Sequence, residues 1–126
     1  MRSMTDNQLS YEIRGAIYEV YNTLGPGLLE SVYEEALCYE LQQRNLKVER
    51  QQEVPIRYKN TDLSTPLRLD IIVEDTVIIE LKSVHELQDV HYKQLLTYLR
   101  LLDKHLGILV NFNTDDINSS IRRVIN

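Results

Sequence analysis

"LRLDIIVEDTVIIELKSV", residues 67 to 84, consists of two almost continuous apolar runs separated by Glu74-Asp75. The short polar gap predicts a β-hairpin, and strands that are apolar at nearly every position predict a central place in a sheet covered on both faces. Four charges interrupt these runs: Arg68 and Asp70 in the first, Glu80 and Lys82 in the second. Side chains alternate along a strand, so Glu80 and Lys82 share a face with Thr76 and Ile78, while Leu81 points the other way. By the same count Asp70 shares a face with Arg68, Ile72 and Glu74, and in a hairpin it can lie beside Glu80 across the ladder. Two acids and a lysine in apolar surroundings are costly unless something compensates them.

A divalent cation is one compensation. Mg²⁺ takes a few carboxylates in octahedral geometry and keeps several waters, and a nearby lysine could orient a metal-bound water and stabilise charge building on an attacked phosphorus. From spacing alone, a plain Glu-Lys pair with an exposed Asp at a sheet edge is the simpler reading, because D…ExK arises readily by chance.

The flanking segments build a framework around the hairpin. Leu9, Ile13, Ala16, Ile17, Val20 and Leu24 recur at helical spacing and predict a helix over 6–24, ended by Gly25-Pro26-Gly27. Leu29, Val32, Tyr33, Ala36, Leu37 and Leu41 predict a second over 28–44, with Asn45 as a left-handed stop. Val54, Ile56 and Tyr58 then alternate with Glu53, Arg57 and Lys59, the pattern of a strand, and Asn60 to Pro66 reads as a loop. Beyond the hairpin, Leu95, Leu96, Leu99 and Leu102 predict a helix over 89–104 with Asp89 as its cap, and "GILVNF" at 107–112 predicts a fourth strand. Ile117, Ile121, Val124 and Ile125 fit either a short helix or an edge strand. Helices covering a mixed sheet of about four strands, an α/β fold of the α+β type, is the natural packing.

With 126 residues, 43% of them hydrophobic, the chain suits one domain spanning residues 1–126. Neither a membrane-length apolar run nor the apolar middle of a signal peptide is present, so a soluble, cytoplasmic protein without a membrane partner is expected. Cys38, the single cysteine, lies in a helical pattern and reads as a buried thiol. A net charge of −5 leaves no general basic excess for phosphate, so contact with nucleic acid needs a local basic surface. Arg44, Lys47, Arg50, Arg57, Lys59 and Arg68 could supply one, and scattered solvated charges explain them equally well.

Gln94 and Tyr98 stand one helical turn apart on the helix that follows "ELK", and Glu30 and Tyr33 stand three apart behind Gly27. Taken separately, these read as a polar helix residue, two core tyrosines and a first-turn acid favoured by the helix dipole. Together, Gly27-x-x-Glu30-x-x-Tyr33, Asp70, Glu80-x-Lys82 and Gln94-x-x-x-Tyr98 resemble the bacterial and archaeal GxxExxY proteins of the PD-(D/E)XK nuclease superfamily. The similarity runs from about Ile13 to Asn113. It implies a restriction-endonuclease-like core in which Asp70 and Glu80 bind metal, Lys82 is the motif lysine, and Glu30 is an acid brought from an early helix. Gln94 and Tyr98 would form the QxxxY helix of RecB-like nucleases. The expected activity is hydrolysis of DNA or RNA with Mg²⁺, or Mn²⁺ as substitute. A non-catalytic nucleic-acid- or protein-binding module, or an assembly subunit, is the alternative, and a homodimer or protein partner stays open. Tyr33 would support Glu30, Arg68 could contact phosphate, and His85 and His91 read as surface or structural residues.

Overall fold

The chain runs α1 (Asp6–Leu24), α2 (Glu30–Gln43), β1 (Val48–Val54), β2 (Arg57–Tyr58), β3 (Thr61–Asp62), β4 (Leu67–Val73), β5 (Val77–Lys82), α3 (Asp89–Leu102), β6 (Leu106–Asn111), a 3₁₀ turn (Asn118–Ser120) and β7 (Ile121–Ile125). These elements come from a computed structural model that describes residues 3–126; the first two residues of the expected 1–126 span lie outside the described residues. A five-stranded mixed sheet has the order β1-β4-β5-β6-β7, and β2 pairs with β3 in a separate ribbon. β4 and β5 form the antiparallel hairpin and β5 pairs parallel with β6 through the α3 crossover, so both apolar runs sit inside the sheet. Glu74 and Asp75 take φ of 52° and 51°, and Thr76 N–H closes the turn on the Val73 carbonyl at 2.9 Å. Consecutive left-handed residues match the twist of a tight hairpin.

Each face of the sheet carries its own core. Leu9, Ile13, Ile17, Leu37 and Leu41 from α1 and α2 pack with Ile71, Val73, Ile79 and Val110 on one face. On the other, Leu95 and Leu99 of α3 pack with Leu69, Ile72, Ile78 and Leu109. Gly107 lies beneath α3, where an added Cβ would come within 3.0 Å of the Leu95 side chain, so the helix approaches as closely as it does because this position is glycine. Thr5 and Gln8 form a reciprocal capping box at the start of α1, and Asn45 takes φ 61° beyond α2, as its stop role predicts.

Several expectations require correction. The strand expected around Val54, Ile56 and Tyr58 is split, because Pro55 lacks the N–H needed to continue a ladder. β1 instead begins at Val48, and the loop expected from Asn60 to Pro66 contains β3. The mixed sheet, expected to have about four strands, has five, and the tail, open between helix and edge strand in the sequence, forms edge strand β7 after a 3₁₀ turn. Helix α2 starts at Glu30, which leaves Leu29 74% exposed rather than in the core. Asp89 is the first residue of α3, not its cap; there His91 Nδ1 accepts the Gln88 N–H at 3.0 Å.

Candidate active site

The hairpin ladder stops short of the acids. Backbone pairing between β4 and β5 joins Val73, Ile72 and Ile71 to Val77, Ile78 and Ile79, and the next pair in that register is Asp70 with Glu80. There the side chains replace the ladder: Asp70 N–H donates to Glu80 Oε1 at 3.3 Å, and Leu81 N–H donates to Asp70 Oδ2 at 2.9 Å. A carboxylate accepting the amide of the opposite strand holds the two strands together where their backbones do not bond.

The electrostatics of this pair are unfavourable. Glu80 is buried and its carboxyl is pushed up to about 9, first by loss of water, then by the Asp70 charge and a hydrogen bond between the two carboxyls; Lys82 pulls it back only in part. Without a cation the pair therefore holds a proton at neutral pH. Two adjacent carboxyl groups that keep a proton for want of positive charge suit a divalent ion, which displaces that proton when it binds. Tyr98 is raised as well, by burial and then by the Glu80 charge. Gln94 Nε2 donates to Tyr98 Oη at 2.9 Å, so the two helix residues act as one unit. A hollow of about 320 Å³, lined by Val90, His91, Lys93, Gln94, Thr97 and Tyr98, opens beside them.

Lys82, half-buried, is held from behind. Phe112 N–H donates to its carbonyl at 2.9 Å. The buried Asn111 accepts from Val84 N–H at 3.0 Å and donates to the Val84 carbonyl at 2.9 Å, tying the loop after β5 to the end of β6. In the sequence Asn111 is one position of the apolar run "GILVNF", and a polar residue interrupting such a run is the signal of its role.

The Gly25–Leu29 turn docks on the same end of β5. Gly25 and Gly27 take φ of 71° and 97°, a region that glycine enters at little cost. Tyr33 Oη donates to the Gly25 carbonyl at 2.5 Å and accepts the Leu28 N–H at 3.1 Å, while its ring stacks on Phe112 with centroids 4.4 Å apart. Ser83 Oγ donates to the Leu28 carbonyl at 2.6 Å, fixing the entrance of α2 one residue beyond Lys82. Tyr33 is therefore a core residue that clamps the turn. Glu30 stands exposed in the first turn of α2. Among the described residues no group of three or more His, Cys, Asp or Glu side chains gathers at metal-holding distance, so Glu30 does not join Asp70 and Glu80 in one cluster here.

The expected basic surface is largely neutralised. Arg44 pairs with Glu12, Lys47 with Glu49, Arg50 with Glu34, Arg57 with Asp62 and Arg68 with Glu53, and Lys59 lies over the Tyr58 ring. Arg68 is thus engaged across β1 and β4, where Glu53 is its ladder partner. His91 serves as a helix cap, and burial pushes the Cys38 thiol up to about 11, leaving it an unreactive core group.

A family model of the PD-(D/E)XK nuclease superfamily matches residues 7–124. The chain belongs to that superfamily. A five-stranded mixed sheet flanked by helices is consistent with the superfamily's restriction-endonuclease-like fold. In this PD-(D/E)XK chain, Asp70 and Glu80-x-Lys82 occupy the open end of the central hairpin. No curated protein and no solved structure matches the chain. Among the described residues no helix is long and apolar enough to cross a membrane.

Proposed function

We propose that this chain is a divalent-metal-dependent nuclease of the GxxExxY branch, a phosphodiesterase hydrolysing DNA or RNA. The observation that carries the reading is the Asp70–Glu80 pair at a break in the ladder, Glu80 buried and Asp70 half-buried and the pair short of positive charge, with Lys82 on the strand of Glu80. Asp70 and Glu80 would hold Mg²⁺, or Mn²⁺ in its place, and Glu30 is the third acid, brought in by rotation of its exposed side chain. The ion supplies Lewis acidity and a water of lowered pKa.

The chain's own groups do the rest. Lys82 orients the attacking water and offsets the negative charge developing on the phosphoryl oxygens. Gln94 positions that water or the phosphate from the helix above, with Tyr98 holding its amide. Tyr33 fixes the turn that carries Glu30. Arg68 serves as a phosphate contact only after leaving Glu53.

The test is incubation of plasmid DNA and of single-stranded DNA and RNA with the protein and millimolar Mg²⁺ or Mn²⁺. Expected are cleavage that EDTA abolishes and a loss of at least about 100-fold in Lys82→Ala, the size of effect seen when a transition-state charge partner is removed. Cleavage that survives both Asp70→Asn and Lys82→Ala would refute the assignment. The paired arginines favour one second reading, a non-catalytic module that binds a protein or nucleic acid, since Arg44, Arg50, Arg57 and Arg68 are each already engaged by a carboxylate. Metal binding without cleavage of any of these substrates supports that reading.

A further inference from the structure

The sheet changes face at one point. Along β1, Val48 packs on the α1–α2 core and Val54 on the α3 core, although six residues of regular strand would leave both on one side. Along β4 the same exchange separates Leu69, on the α3 core, from Ile71, on the α1–α2 core. Pairing joins Arg50 to Ile71 and Gln52 to Leu69 in one register, so no residue is inserted, yet Gln51 and Asp70 between them are unpaired. Gln51 takes φ 54°, a left-handed conformation unfavourable for a glutamine inside a strand.

Something must hold it there. Glu34, 4% exposed on α2, accepts Gln51 Nε2 at 2.5 Å and Arg50 Nε at 3.0 Å, so one buried carboxylate grips both residues at the exchange. We infer that Glu34, acting through Gln51, is the positioning group that turns Asp70 out of the face alternation and into the plane of the sheet, where its carboxylate takes the Leu81 N–H beside Glu80. Glu34 and Gln51 touch no reacting atom in this account. Relaxation of Gln51 to an ordinary strand conformation would return Asp70 to the β1 ladder and weaken its hold on Leu81.

The inference concerns the fold of the free protein; only its metal consequence rests on the nuclease reading. The primary experiment is hydrogen exchange of the Leu81 amide, followed by NMR on metal-free protein, for wild type, Gln51→Ala, Gln51→Gly and Glu34→Ala. Gln51→Ala removes the amide and disfavours the left-handed region, and should speed Leu81 exchange by at least about tenfold while the melting temperature and the Ile79 amide stay near wild type. Gln51→Gly tolerates φ 54° and should stay within about threefold of wild type. Glu34→Ala should follow Gln51→Ala; if it does not fold, the two Gln51 variants decide alone. Unchanged Leu81 exchange in Gln51→Ala overturns the inference. In parallel, Mn²⁺ titration should show about 10- to 100-fold weaker binding in Gln51→Ala, rescued in Gln51→Gly. Wild-type protein that binds no Mn²⁺ defeats the nuclease reading, and Leu81 exchange still decides the role of Glu34.

Discussion

The two ends of the β4–β5 hairpin are built on opposite rules. At the turn end, Ile71, Ile72 and Val73 face Val77, Ile78 and Ile79 with the backbone ladder intact and every side chain buried. At the other end, Asp70 and Glu80 replace that ladder with carboxyl-to-amide bonds and keep a proton between them. One end contributes stability through apolar burial; the other stores an electrostatic deficit that a cation can relieve. The contrast explains how the two acids persist there: the adjoining apolar end provides the stability that the open end lacks.

Substitutions at the two ends should therefore differ in sign. Ile79→Ala at the closed end should cost about 2–5 kcal/mol, read from urea denaturation, because it leaves a cavity between packed layers. Glu80→Gln at the open end should raise the stability of metal-free protein at pH 8 by about 1–3 kcal/mol, since the amide keeps both hydrogen bonds and stays neutral without taking up the proton that Glu80 must bind on folding. Equal losses at both ends would dissolve the comparison.

The pH dependence sharpens it. The Glu80 carboxyl is raised in the folded state, from an ordinary 4.5 to about 9, so the folded chain holds the proton more tightly than the unfolded one. Stability linked to this group is fully present below about pH 4.5 and is lost as pH rises towards 9, the reverse of a salt-bridged acid. Thermal melts of wild type without metal should show that decline. Glu80→Gln should lack this component, and millimolar Mg²⁺ should restore wild type alone. The smallest effect belongs to the turn beside the site: Tyr33→Phe should cost about 0.5–1.5 kcal/mol through loss of the bonds to Gly25 and Leu28 while the stack on Phe112 remains. Limited proteolysis should then cut the Gly25–Leu29 segment faster.

What could be read from the sequence divides along similar lines. The hairpin was legible because its runs are apolar and its gap is short, and the acids stood out because they interrupt those runs. The first two helices were legible from apolar spacing, although exposed Leu29 and Val32 show that not every apolar residue at that spacing is core. β1 was misplaced because "VERQQ" carries few apolar residues to mark a period, and only its pairing with β4 makes it a strand. The face exchange at Gln51 and Asp70 was hidden from any argument that counts residues by twos. That argument put Asp70 and Ile72 on one face, whereas Ile72 lies under α3 and Asp70 points along the sheet. Glu34 and Asn111 looked ordinary because their significance lies in partners distant in sequence. The cations seemed available for phosphate because sequence does not show that Glu12, Glu34, Glu53 and Asp62 occupy them.

The most direct test of the central claim is calorimetric titration of Mg²⁺ or Mn²⁺ into metal-free protein near pH 7 in buffers of different ionisation enthalpy. One site is expected, whose occupation releases about one proton, the one held between Asp70 and Glu80, with no such release in Glu80→Gln. Absence of binding at millimolar metal, or binding with the same proton count in wild type and Glu80→Gln, would contradict the claim.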